Sequence, residues 1–176
     1  MIMQNYIQEA LRTAAGGTPH TDKVPAFVLL ELLLARVDTN TDIDAAKKSL
    51  FYGKAPTLNM ESIRSSGPYQ DTENASYAPV DFNVLHGVVG IDTEAAELVE
   101  LLATAIQTGE PIDSGRVVDE SGDLLWYLAI LFDAVGINFE EVMEKNIQKL
   151  RVRYPEKFSE HLALNRNEAQ ETAHFH

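Results

Sequence analysis

Two stretches of the chain place carboxylates three residues apart: Glu94-Ala95-Ala96-Glu97 and Glu120-Ser121-Gly122-Asp123. On an α-helix, residues i and i+3 share a face, so each pair aims its oxygens in one direction. Like charges on adjacent turns repel, and a pair set in mid-helix beside an apolar stripe calls for a countercharge. A hard divalent cation supplies one, because Mg²⁺ takes oxygen ligands in an octahedron and keeps water positions for a substrate. The pairs fall on consecutive predicted helices joined by a turn at Gly109-Glu110-Pro111. Antiparallel neighbours of this kind bring Glu94, Glu97, Glu120 and Asp123 around one point as candidate metal ligands. Neither pair has the histidine that di-iron bundles carry, which favours Mg²⁺, or Mn²⁺ in its place, over iron. The competing reading is that both pairs are solvated surface charge. Gly122 bears on the choice: glycine inside a helix costs about 1 kcal/mol relative to alanine and suggests a close approach there.

A third constellation lies further on. Asn146, Lys149 and Arg153 fall at i, i+3 and i+7, one helical face, while Arg151 points elsewhere. An amide donor, a point charge and a planar fork aimed together suit phosphate oxygens. The alternative is a basic helix end complementing the macrodipole. Trp126 and Tyr127, within Leu124–Leu131, either stack on a base or pack into the core. His86 reads as a structural histidine, and His20, His161, His174 and His176 have no ligand-like spacing. Ser-His-Asp arrangements, a P-loop and a dinucleotide fingerprint are absent from the sequence.

The elements that must position these groups read as helices. Tyr6–Ala15 has helical apolar spacing and stops at Gly16-Gly17 and Pro19. Pro25–Val37 reads as a second helix, and Asp42–Leu50 as a short third one capped by Thr41. Residues 53–79, rich in Pro, Gly, Ser, Thr, Asn and Asp, read as a long loop or insertion. Val88 to about Thr108 is helical, with Ala95, Leu98, Leu101, Leu102 and Ala105 as its apolar stripe, and Ser114–Val135 follows, closed by Gly136. Asn138 caps a last helix with Glu140 and Glu141 in its first turn, running to Arg153 and stopped by Pro155. The tail from about 167 to 176 reads as frayed. No strand alternation is sustained, so the chain is expected to be a single all-α domain over residues 1–176, a helical bundle with an irregular N-terminal half.

Composition narrows the function. Hydrophobic residues make up 45% of the 176 residues, enough for a folded core. The net charge of −13 repels a polyphosphate backbone, which argues against nucleic-acid polymers as partners but not against a small nucleotide beside a divalent metal. No apolar run reaches the ~18 residues that cross a bilayer, and Met1–Glu9 lacks the pattern of a secretory signal. Without cysteine, disulfides and thiolate chemistry are excluded. No membrane partner and a cytoplasmic location are the expectations.

From about Leu85 to Arg166 the chain resembles the MazG-like, all-α nucleoside triphosphate pyrophosphatases, with a weaker echo in Tyr6–Ala14. The resemblance is carried by Thr93-Glu94-Ala95-Ala96-Glu97, by Glu120-Ser121-Gly122-Asp123, and by Asn146-Ile147-Gln148-Lys149-Leu150-Arg151-Val152-Arg153-Tyr154-Pro155. These resemble the family's E-E-x-x-E, E-x-x-D and N-x-x-K-L-x-x-R-Y-P elements, in order. Phe51-Tyr52-Gly53-Lys54 also resembles a segment some members carry, here placed before the first acidic pair. The resemblance implies a Mg²⁺-dependent helical enzyme, dimeric or tetrameric, that cleaves a nucleoside triphosphate to the monophosphate and pyrophosphate. By position it makes Glu94, Glu97, Glu120 and Asp123 the metal ligands, with Glu94 or Glu97 as the base that activates water. Asn146, Lys149, Arg153 and Trp126 would contact substrate. Related enzymes suggest a deoxyuridine nucleotide or phosphoribosyl-ATP as alternative substrates. The departure is Thr93, where the motif has its first acid, and it leaves open a catalytically weakened interaction module.

Overall fold

The structure is a computed structural model that describes residues 2–14, 23–55, 58, 77–167 and 171. Six helices follow one another: α1 (Ile2–Thr13), α2 (Ala26–Tyr52), α3 (Phe82–Thr108), α4 (Ser114–Val135), α5 (Phe139–Arg153) and α6 (Glu160–Leu164). Among the described residues there is no strand, and the fold is all-α as the apolar spacing requires. The helices fall into two compact units, one of α2, α3 and α4, the other of α1, α5 and α6. Among the described residues no single helix is long and apolar enough to cross a membrane. The loop expected over 53–79 and the tail expected over 167–176 lie outside the described residues, apart from 53–55, 58, 77–79, 167 and 171.

In the first unit, α3 and α4 carry the expected acidic pairs, and local chemistry sets their ends. The Asp81 carboxylate accepts from the amides of Asn83 and Val84 at 2.7 and 3.2 Å, satisfying two of the free N–H groups at the start of α3. Gly109, at φ 74°, closes the helix with its N–H on the Ala105 carbonyl. Asp113 does for α4 what Asp81 does for α3, accepting from Gly115 and Arg116.

The two helices meet where α3 has no side chains. A Cβ on Gly87 would lie 2.8 Å from Leu131 Cβ and 3.0 Å from its Cα, and one on Gly90 would lie 2.0 Å from Tyr127 Cδ1. The bare backbone there lets the buried Tyr127 ring lie against α3; Ala96, Leu101, Ala103 and Phe132 are the other buried apolar residues of these two helices among the described residues. Gly122 plays no such part, since a Cβ there meets nothing within 4 Å. The close approach expected at Gly122 belongs instead to Gly87 and Gly90, because the crossing point and not helix propensity decides which glycine is needed. Leu102, placed on the apolar stripe by its spacing, is exposed.

α2 differs from the sequence expectation. Two helices with a break near Thr41 were indicated, but Ala26–Tyr52 is one continuous helix. Thr39 and Thr41 stay helical by donating their hydroxyls back to the carbonyls of Ala35 and Val37 at 3.0 and 3.4 Å. No Gly or Pro interrupts the run before Gly53, which ends it at φ 66°.

In the second unit Asn138 caps α5 as expected, its side chain accepting from Glu141 N at 2.9 Å. α1 is tied to the end of α5 through Arg12, which donates to the carbonyls of Tyr154 and Glu156 at 3.1 and 2.6 Å. Glu9 ties it to Arg151 at 3.3 Å. Tyr154 is buried beside Phe158.

Gly90→Ala tests the helix crossing. The added methyl must displace an aromatic ring from a packed position, and overpacking of this kind costs about 1–3 kcal/mol. Chemical denaturation is expected to show that loss, whereas Gly122→Ala should leave stability unchanged or raise it by up to ~1 kcal/mol.

Candidate metal centre

Glu94 and Glu97 on α3 and Glu120 on α4 converge across the crossing, each offering a carboxylate oxygen within 4.8 Å of the other two. Glu94 and Glu120 are each 6% exposed, and Glu97 is half-buried. Two full charges at that separation repel by about 3 kcal/mol at an effective dielectric of ~20. The structure shows the consequence at Glu97: burial first, then the charges of Glu120 and Glu94, push its carboxyl up to about 7. Asp123, the fourth expected ligand, is exposed one turn beyond Glu120 and is not one of the converging three.

A buried set of hard oxygen donors, too close to be ionised together unaided, suits a divalent cation of the Mg²⁺ or Mn²⁺ type. Glu94, Glu97 and Glu120 are the residues that would hold it.

The spacing argument missed Lys47. It reaches from α2, 3% exposed, and donates to Thr93 Oγ1 at 2.7 Å and Glu94 Oε1 at 3.0 Å, with Asp44 Oδ1 at 3.3 Å. Burial works against its charge, yet the Glu94 carboxylate outweighs burial and holds the ammonium protonated. Thr93 is fully buried, and its hydroxyl donates to the Gly90 carbonyl at 2.9 Å. It therefore faces α2 as a hydrogen-bond relay, where the resembled motif has an acid. Arg36, Asn40, Asp44 and Lys47 form one polar stripe of α2 at i, i+4, i+8 and i+11. Arg36 bonds Asp92, and Asn40 donates to the Thr93 carbonyl at 3.4 Å. That stripe is visible in the sequence only if α2 is read as continuous. On the other side Arg116 pairs with Glu120 at 3.2 Å, half exposed.

Next to Lys47 lies an aromatic group. The Lys47 ammonium sits 5.0 Å above the Tyr127 ring, and the Tyr127 hydroxyl meets that of Tyr52 at 3.0 Å. Burial and the Tyr52 hydroxyl push Tyr127 up to about 12, so it is a neutral hydrogen-bonding group. His86 stacks on Phe51 at 4.1 Å and meets Trp126 edge-on at 6.0 Å. Burial, with Lys47 nearby, lowers the His86 pKa and keeps its ring neutral. Trp126 is 53% exposed, so this ring is an accessible face and not core.

The expected phosphate-binding face lies on α5 in the second unit. The Asn146 side chain accepts from Tyr6 Oη at 3.4 Å, and Lys149 is half-buried. Arg153 is taken up by Glu171, whose buried carboxylate also receives Arg166 at 3.0 Å. Arg153 and Arg166 together hold Glu171 down to about 2, an ion pair the helical spacing gave no sign of.

Comparison with known families bears out the resemblance over the part of the chain that holds these motifs: residues 88–158 match the MazG nucleotide pyrophosphohydrolase domain. Comparison with curated proteins and with solved structures gave no match.

The raised Glu97 carboxyl sets a pH dependence. Between the ordinary value of 4.5 and about 7, the folded chain keeps a proton that the unfolded chain has released. Metal-free stability should therefore fall through this group as pH rises over that window and level off above it. A cation competes with the same proton among Glu94, Glu120, Asp44, Lys47 and Arg116, so Mn²⁺ affinity should rise by about tenfold per unit toward pH 7 and then flatten. Calorimetric titration checks this, and Glu97→Gln should remove the slope.

Proposed function

We propose that the chain hydrolyses nucleoside triphosphates, NTP or dNTP, between the α- and β-phosphates with Mg²⁺, releasing the monophosphate and pyrophosphate. The observation that carries this reading is the convergence of Glu94, Glu97 and Glu120 within 4.8 Å, inside a segment that matches the MazG nucleotide pyrophosphohydrolase domain. A divalent ion held there would supply charge neutralisation for phosphate oxygens and lower the pKa of a bound water.

The chain's own groups then divide the remaining work. Glu94 is committed on one oxygen to Lys47, 3.0 Å away, and is better placed to hold than to accept a proton. Glu97 is half-buried on the same face of its helix, and Lys47 is held by Glu94 and not by it. Glu97 is therefore the acceptor for the attacking water's proton. Glu120 completes the donor set, oriented by Arg116. Trp126, exposed and braced edge-on by Tyr127 at 4.8 Å, offers a face for the base.

The test is pyrophosphate release across the common NTPs and dNTPs, with Mg²⁺ and with EDTA. Glu97→Gln and Glu120→Gln should each lower kcat/KM by on the order of 10²-fold or more while keeping the helical spectrum. Trp126→Ala should act mainly on KM, raising it roughly 5- to 100-fold, the range of base stacking on an aromatic side chain. Release that persists in EDTA, or in both Gln variants, overturns the reading.

A further inference from the structure

Lys47 enters the chemistry just described only through its hold on Glu94, yet it is among the most buried charges of the first unit. An ammonium at 3% exposure persists only where partners replace its water. Its three N–H groups match three acceptors: Thr93 Oγ1 at 2.7 Å, Glu94 Oε1 at 3.0 Å and Asp44 Oδ1 at 3.3 Å. The Thr93 hydroxyl has the Gly90 carbonyl at 2.9 Å and Glu94 Oε1 at 3.2 Å as acceptors for its own proton, and with either its oxygen is left to accept from Lys47. The contact is thus built from both sides and is not the chance reach of a flexible side chain.

Its location gives it a consequence. Arg116, the other cation at the cluster, has a side chain 49% exposed, and water and salt screen it. Lys47 is screened far less. Ionised Glu94, Glu97, Glu120 and Asp44 carry four negative charges, and Lys47 and Arg116 offset two, leaving what a single divalent ion neutralises. A second ion near Glu94 would meet the ammonium directly.

Resting on the metal reading above, we infer that Lys47 is a positioning residue, a resident cation that fixes Glu94 and limits the Glu94/Glu97/Glu120 cluster to one divalent ion. Its removal leaves the cluster more negative, so the neutral variants attract a divalent ion more strongly although Glu94 is less well held. A lysine of structural importance alone would change thermal stability and leave metal binding as it was.

Calorimetric and electron-paramagnetic titration of the full chain with Mn²⁺ alone, near pH 8, decides the matter. The unmodified chain should take one ion. Lys47→Met and Lys47→Gln should bind Mn²⁺ at least about tenfold more tightly, and Lys47→Arg, which keeps the charge, should stay within about threefold of the unmodified chain. Neutral variants that bind no more tightly overturn the inference while leaving the metal reading intact, and so does an unmodified chain that takes two ions. An unmodified chain that takes none overturns both. Should neither neutral variant give a helical spectrum, the stoichiometry of the unmodified chain decides alone.

Discussion

Three carboxylates within 4.8 Å of one another cannot all be charged without compensation. At about 3 kcal/mol per pair the total repulsion is comparable with the whole stability of a small domain. Much of the first unit follows from this constraint. Lys47 is drawn into a nearly dry position, Arg116 leans onto Glu120, and Glu97 keeps a proton up to about pH 7. Each is a partial neutralisation. The same constraint requires that α3 and α4 cross closely, which is why Gly87 and Gly90 stand opposite Leu131 and Tyr127. Tyr127 then serves two ends at once, sealing the crossing and carrying Lys47 over its ring.

α2 is the support on which the centre rests. Its polar stripe from Arg36 to Lys47 runs along α3 and bonds Asp92, Thr93 and Glu94 in succession. Thr93, which interrupts the acidic motif, is part of that seam. Where the resembled motif has an acid, this chain has a hydroxyl that accepts from the lysine. At the end of the stripe, Phe51 and Tyr52 carry His86, which meets the exposed Trp126 edge-on.

The chemistry-bearing helices were legible in the sequence because their signals are local. Asn138 as a cap, Gly109 and Gly136 as stops and the i,i+3 acidic pairs each depend on a few neighbouring residues. What escaped depends on longer reach. Reading Thr39–Thr41 as a break divided α2 and hid the stripe that ends at Lys47. Spacing alone could not tell Gly122, which faces open space, from Gly90, which lies under a ring, since only the crossing distinguishes them. Asp123 shows a limit of the i,i+3 argument: three residues leave its side chain about 60° round the helix from Glu120, and it faces solvent. The Arg153–Glu171 pair joins residues 18 apart through a carboxylate that no motif marks.

The claim on which the account turns is that Glu94, Glu97 and Glu120 are the ligands of a divalent ion. Anomalous diffraction from crystals of the chain grown with Mn²⁺ tests it most directly. The account predicts an anomalous peak bridged by oxygens of these three residues, with the Lys47 ammonium still on Glu94. A peak held by other residues, or Mn²⁺ bound with these three carboxylates turned away from it, would contradict it.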